Sequence, residues 1–391
     1  MSIEQRAKRR KSSIWARVSL AAGLVLVVLS GAAFTTAKVA VAKADAAIPD
    51  HDLGSGPDGT AGKNVSIKGA KNILLASLDT RPSWSKTGKA SHTDSIILLH
   101  IPADHSRAYM LSIPRDFLVQ IPAFNNGKYK YAGGMNKINA AFAFGSMQLD
   151  GDDAITHGTT LLANTIQQRF GIKPDAAAII NYDGFKDILG VLKKVCLYVD
   201  QNVTSIHIGH TKDGKQAVPY TTTAAGTNPR PVPGVTPNRY KIGNQCLNPT
   251  QALDFARQRD LLEPHNQGDY DRQRHQQQLI KAIMKTAVSQ GLQSPTKLPT
   301  LLNSIGKAMT VFLGGISLED WALGMKDINP DKIVTIKTNG GKYDPIPGDQ
   351  APPGVGESEG LYPDSITMFE NAKSDTLDNF VLAHPTWISK T

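Results

Sequence analysis

SIILLHIPADHSRAYMLSIPRD, residues 95–116, contains two short apolar runs, Ser95–Ile101 and Ala108–Ile113, joined by the tight polar stretch Pro102–Arg107. Their length and composition suit strands, and the connection closes them into an antiparallel hairpin. In a hairpin, the residue entering the first strand and the residue leaving the second share one edge. Asp94 and Arg115 occupy those two positions. Toward the N-terminus, Ile73–Ser77 is a further short apolar run. If it pairs antiparallel to 95–101, Asp79 at its exit reaches the same edge. Asp79, Asp94 and Arg115 then meet at the rim of one sheet, although 36 residues separate the first from the last.

Toward the C-terminus, Asp153–Phe170 carries Leu161, Leu162, Thr165, Ile166 and Phe170 at helical spacing, with Gly171 suited to its end. Ala176–Ile180 then reads as strand, Asp183–Leu192 as helix and Val195–Val199 as strand, which points to an α/β fold with a sheet covered by helices. Residues 202–245, rich in Thr, Gly, Pro and Asn, read as a hairpin or long surface excursion ending at Cys246. Residues 249–260 and 270–290 read as helices. The stretch 339–363, with NGG, PIPG and APPG, reads as loop, and 364–391 as a short end piece.

The 391-residue chain has a formal charge of +9, yet residues 1–17 hold six Lys or Arg against one Glu, leaving only +4 beyond them. A nearly balanced body argues against a nucleic-acid partner. The basic tail precedes twenty uncharged residues, Val18–Ala37. At about 1.5 Å per residue these span roughly 30 Å, enough to cross a bilayer's hydrocarbon core. The charge asymmetry places the N-terminus in the cytoplasm and everything after the span outside. Length favours an uncleaved single-pass anchor in the cell membrane. A cleaved signal peptide is the alternative, since small residues near Ala33–Ala47 could supply a cleavage site. Residues 38–68 read as an extracellular linker. Cys196 and Cys246, the only cysteines, could form one disulfide in an oxidising compartment or remain two separate thiols.

Two carboxylates a few Å apart repel unless a proton or a cation intervenes. Mg2+ takes one or two carboxylates and completes its shell with water and phosphate oxygens. Arg115 adds a planar fork for another phosphate oxygen. The bland alternative is solvated turn residues or a structural ion pair. On a helix starting near Asp271, Arg272 and Gln276 share the core-facing stripe with Leu279 and Ile283, whereas Arg274 falls with Gln278, Lys281 and Lys285 on the opposite, solvated face. An inward arginine needs an anionic partner, either a carboxylate such as Asp269 or a ligand phosphate. Arg257 and Arg259, two apart, do not share a helix face, so either they lie at a frayed end or only one enters the site.

These motifs, taken in order, resemble the LytR-CpsA-Psr family of Gram-positive envelope proteins. The resemblance runs from about Asn72 to Leu279 through LDTR, TDSIILLHI, SIPRD, KINAAFA, QALDFARQR and GDYDRQRHQQQ. It implies an α/β/α sandwich around a mixed, largely antiparallel sheet, with an apolar tunnel for a polyprenyl chain and a catalytic domain over 69–338. The implied activity is phosphotransfer of a glycopolymer from an undecaprenyl-pyrophosphate carrier to the 6-hydroxyl of N-acetylmuramic acid in peptidoglycan. By motif, Asp79 and Asp94 resemble Mg2+-binding (or Mn2+-binding) acids. Arg81, Arg115, Arg257, Arg259 and Arg272 resemble a pyrophosphate cage, with Asp269 and Gln276 supporting it. Cys196 and Cys246 resemble a pair found in actinobacterial members, which supports the disulfide. Two positions depart from the pattern: His92 and His275 stand where many members have Arg. With an unperturbed imidazole pKa near ~6.5, either would be a weaker phosphate anchor.

In the implied reaction the acceptor hydroxyl attacks phosphorus and lipid phosphate leaves. Arg115, always protonated, positions and stabilises charge, while Asp79 or Asp94 would take the proton. The rival readings are hydrolysis of a polyprenyl pyrophosphate by the same residues, a non-enzymatic envelope regulator, and a wall-polymer binding protein.

Overall fold

The computed structural model describes residues 67–78, 91–223, 228–293, 309–316, 321 and 328–389. The expected anchor over 18–37, nearly all of the 38–68 linker, and both Asp79 and Arg81 lie outside the described residues. Among the described residues, no helix is long and apolar enough to cross a membrane.

The hairpin forms as its sequence requires. β1 (Lys71–Leu78), β2 (Thr93–Ile101) and β3 (Ala108–Ile113) are successive antiparallel neighbours, with Leu78 opposite Thr93 and Ile96 opposite Ile113. Three further strands complete the sheet: β4 (Ala176–Asn181), β5 (Met309–Phe312) and β6 (Ile333–Ile336), in the order β5-β4-β1-β2-β3-β6. β4 runs parallel to β1 and β6 parallel to β3, while β5 is antiparallel to β4. The sheet is therefore mixed, with antiparallel pairings in the majority. A parallel neighbour requires a crossover. Two helices provide the one from β3 to β4: α1 (Asn139–Ser146) and α2 (Gly151–Phe170), the latter ended by Gly171 at φ 66°.

Helices cover both faces. Ile73 and Leu75 of β1 face a cluster with α3 (Tyr182–Leu192), α4 (Pro249–Phe255) and α5 (Asp269–Gln293). Leu74 and Ala76 face the other way, toward α1, α2 and two C-terminal helices, α6 (Pro363–Lys373) and α7 (Leu377–Ala383). Burial on both sides explains why the strands read as continuous apolar runs rather than alternating ones.

Two expectations need correction. The end piece 364–391 belongs to the core: Met368, Phe369, Leu377 and Phe380 are buried, and Phe369 stacks on Phe170 at 4.0 Å. Helices this short, 11 and 7 residues, give little periodic signal. The 202–245 excursion is a hairpin with a buried base. Strand 202–211 pairs with 235–240, and Val203, Ser205 and Ile206 are buried. Flanking strands 195–199 and 243–247 pair with Cys196 opposite Cys246, and the two sulfurs are bonded.

Candidate active site

β1, β3 and β4 end, and β2 begins, at one sheet edge, which collects the charged residues. Arg115 Nη1 donates to Asp94 Oδ1 at 2.6 Å, while Arg115 Nε lies 3.4 Å from Asp116 Oδ2 and 3.8 Å from Asp269 Oδ1. α5 begins at the same edge. From its first turn Arg272 reaches Asp269 Oδ1 at 2.6 Å, Asp94 Oδ1 at 3.8 Å and the Asp94 carbonyl at 3.2 Å. Asp94, Arg115, Asp269 and Arg272 therefore form one interlocked set.

The charges sustain one another. Burial alone would lower the Arg115 pKa, but Asp269, Asp116 and Asp94 together raise it above the ordinary guanidinium value. Burial alone would raise the Asp269 pKa, but Arg272 and Arg115 hold it below the usual carboxylate range. Arg115 and Asp269 therefore stay ionised at neutral pH. Arg115 Nε, Arg272 Nε and Gln276 Oε1 are buried without hydrogen-bond partners. Buried polar atoms are costly to leave unpaired, so Arg272 keeps donor capacity suited to an anion, whereas Arg115 Nε already faces Asp116 and Asp269.

Beside this set lies a cavity of about 850 Å³. Its charged lining comprises Asp94, Arg115, Arg257, Arg259, Asp260 and Arg272, and the remaining walls are mainly apolar, with Leu75, Ile97, Ala178, Ile188, Leu253 and Ile283 beside a few polar residues such as Ser95, Asn181 and Gln276. Ile206, Val218 and Tyr220 of the hairpin between the cysteine strands close it over. The shape suits an amphiphile with an anionic head and a long apolar tail.

Arg257 and Arg259 both line the cavity because α4 stops at Phe255, short of the expected helix over 249–260. Gln258 between them points into the protein, donating to Asp254 Oδ1 at 2.7 Å and accepting from the Ile206 N–H at 3.0 Å. Asp254 is itself buried and also accepts from Ser205 and Tyr240, which fixes this turn beneath the cavity wall.

The phase argument fails for Arg274. Its side chain is only 12% exposed and pairs with Asp200 at 2.6 Å and Asp271 at 2.5 Å. The first turns of α5 are enclosed on several sides, so the face opposite the cavity also meets protein. His275 does not line the cavity and is fully buried against the Phe255 ring, where burial and then Arg274 lower its pKa well below the usual imidazole value. His92 is exposed.

Two residues near Arg115 escaped the sequence reading. Asp116 adjoins Arg115 in SIPRD, and Lys137 Nζ reaches Asp116 Oδ1 at 3.2 Å from a strand paired with 118–121. Nothing in the local pattern of KINAAFA marks Lys137. Glu359, also unmarked, is 2% exposed and accepts from the Tyr270 hydroxyl at 2.8 Å. Burial pushes its pKa up to about 8. The folded protein therefore keeps a proton on Glu359 that the unfolded chain loses near 4.5, so stability falls as pH rises from about 4.5 to about 8. Glu359→Gln should remove that slope. Its unfolding free energy at pH 8 should exceed the wild type's by a few kcal/mol, with the difference shrinking toward pH 5 in urea melts. Parallel curves for the two proteins would refute it.

The chain is similar to several known proteins. The chain is 28% identical over 338 residues to the polyisoprenyl-teichoic acid–peptidoglycan teichoic acid transferase TagU of Oceanobacillus iheyensis, covering 86% of this chain and 83% of that protein. It is 27% identical over 235 residues to the regulatory protein MsrR of Staphylococcus aureus, covering 60% of this chain but only 54% of that one. The crystal structure of protein gbs0355 from Streptococcus agalactiae has a TM-score of 0.54 at 21% identity, covering 79% of this chain and 88% of that one. TagT bound to LIIa-WTA has a TM-score of 0.50 at 19% identity, covering 81% and 94%. These two structures agree in fold. The LytR_cpsA_psr family model matches residues 35–350, most of the chain, and the protein belongs to that family.

Proposed function

We propose that the protein is a transferase that moves a cell-wall glycopolymer, with its linking phosphate, from a polyprenyl-pyrophosphate carrier to a peptidoglycan hydroxyl. The observation that carries this reading is the arginine set lining a mainly apolar cavity of about 850 Å³, which suits a diphosphate head on a polyprenyl tail. The activity named for TagU supports the same class of reaction. The carrier lipid is taken as undecaprenyl and the acceptor as the 6-hydroxyl of N-acetylmuramic acid. An anchor at 18–37 would hold the domain at the outer face of the membrane, where both substrates meet.

Arg115, Arg257, Arg259 and Arg272 would grip the diphosphate oxygens, and the apolar walls would exclude water from the leaving lipid phosphate. Asp269 holds Arg272 in place at 2.6 Å. Among the described residues, no three His, Cys, Asp or Glu side chains form a metal cluster. The donor chemistry still fits Mg2+ or Mn2+, because such a cation needs only one or two carboxylates when phosphate oxygens complete its shell. Asp94, which lines the cavity, would supply one carboxylate and Asp79 the second. A bound metal would neutralise charge building on the phosphate oxygens.

The test is to incubate the full-length protein with a polyprenyl-pyrophosphate glycopolymer, with and without peptidoglycan fragments. Transfer is expected only with acceptor present, with little free polymer phosphate. Release of polymer phosphate at the same rate without acceptor would make the protein a hydrolase, and binding without turnover would make it a wall-polymer binding protein or a regulator.

A further inference from the structure

Arg115 has two polar sides. One faces the cavity with Asp94, Arg257, Arg259 and Arg272. The other carries Asp116, Lys137 and Asp269, none of which lines the cavity. Asp116 is partly open to solvent at 27% exposure, as is Lys137 at 24%. The Asp116 backbone is pinned, its carbonyl accepting from the Glu359 N–H at 3.0 Å. Tyr343 belongs to the same side: it is 47% exposed, and its hydroxyl donates at 3.2 Å to the carbonyl of Ser358, next to the Glu359 whose N–H holds the Asp116 backbone.

Displacement at phosphorus brings the nucleophile in opposite the leaving group. With the lipid diphosphate on the cavity side of Arg115, an incoming hydroxyl approaches from the side of Asp116. The three carboxylates within 3.8 Å of Arg115 differ in how far they are committed. Asp94 Oδ1 is held at 2.6 Å by Arg115, and Asp269 Oδ1 at 2.6 Å by Arg272. Glu359 is 2% exposed and out of reach of substrate. Asp116 is as open to solvent as Asp94, both side chains at 27%, but has only looser contacts, 3.2 Å to Lys137 and 3.4 Å to Arg115. Arg115 stays protonated and is not a base.

We infer that Asp116 is the catalytic base for a saccharide hydroxyl, on an acceptor face made by Asp116, Lys137 and the Tyr343 ring. The inference rests on the transferase reading above. As the acceptor oxygen bonds to phosphorus, its proton passes to Asp116 Oδ2. The bond from phosphorus to the bridging oxygen breaks, and its electron pair leaves with the lipid phosphate. Lys137 holds Oδ1 and aims the carboxylate, and the Tyr343 ring offers an apolar surface for one face of a sugar.

The test measures kcat and acceptor KM for transfer by the full chain, alongside the Kd for a polyprenyl diphosphate. Asp116→Asn should lose about 10²-fold or more in kcat, with lipid diphosphate Kd and acceptor KM nearly unchanged. Asp116→Glu should recover part of the rate. Tyr343→Ala should raise the acceptor KM about threefold to tenfold at constant kcat. Wild-type kcat in Asp116→Asn overturns the inference. So does a rate loss matched by weaker diphosphate binding and not rescued by Asp116→Glu, which is the signature of a merely structural ion pair. An unchanged acceptor KM removes Tyr343 from the face. Absence of transfer by the unsubstituted protein overturns the transferase reading itself, and shows before any variant is compared.

Discussion

Arg115→Ala is expected to lower polymer transfer by about 10³-fold or more, the largest loss of any single substitution in the site. Two effects combine. The variant loses a fork that faces the charge developing on the transferred phosphate, and such a donor is commonly worth about 10²–10³ in rate. It also leaves Asp94, Asp116 and Asp269 without their shared cation, since all three lie within 3.8 Å of this one guanidinium. Three carboxylates so close repel one another and any incoming phosphate. Arg115→Lys restores the charge but not the planar fork that meets carboxylates in different directions, so an intermediate rate is expected. Single-turnover transfer assays check this, with circular dichroism melts to confirm folding. Transfer by a folded Arg115→Ala protein within about tenfold of wild type would dismantle the site.

The hairpin made this centre legible. Once 95–101 and 108–113 are strands joined by a six-residue turn, Asp94 and Arg115 have one place to go, and the structure puts them 2.6 Å apart. The helical stripe likewise brought Arg272 and Gln276 to the cavity. What periodicity cannot show is how many sides of a helix meet protein. Arg274 pairs with Asp200 and Asp271 because α5 is enclosed, and enclosure depends on elements distant in the chain. Asp116 and Lys137 meet only through pairing of 118–121 with 134–137, in strands too short to announce themselves. Glu359 and Tyr270, 89 residues apart, meet only because the C-terminal segment returns across the sheet edge. The α6–α7 layer was missed for a related reason, since its short helices owe their stability to the sheet they cover.

Ala178→Phe separates a lipid compartment from an ordinary core. Ala178 sits in β4 opposite Leu75 of β1 and Val311 of β5, is buried, and lines the apolar part of the cavity. If that space receives a polyprenyl chain, a phenyl ring enters it without straining its neighbours and displaces lipid. Excluding one five-carbon unit, at about 0.8 kcal/mol per buried methylene, costs roughly 4 kcal/mol, or about 10²–10³ in affinity. The loss should fall on long-chain polyprenyl diphosphates. A short-chain analogue held mainly by Arg115, Arg257, Arg259 and Arg272 should bind Ala178→Phe and wild type alike, and the melting temperature should scarcely move. A packed core predicts the reverse pattern: overpacking would cost about 1–3 kcal/mol of stability and affect both ligands equally. Titrating the two chain lengths against both proteins therefore reads the cavity's occupant directly, because only a lipid compartment makes the penalty depend on the length of the tail.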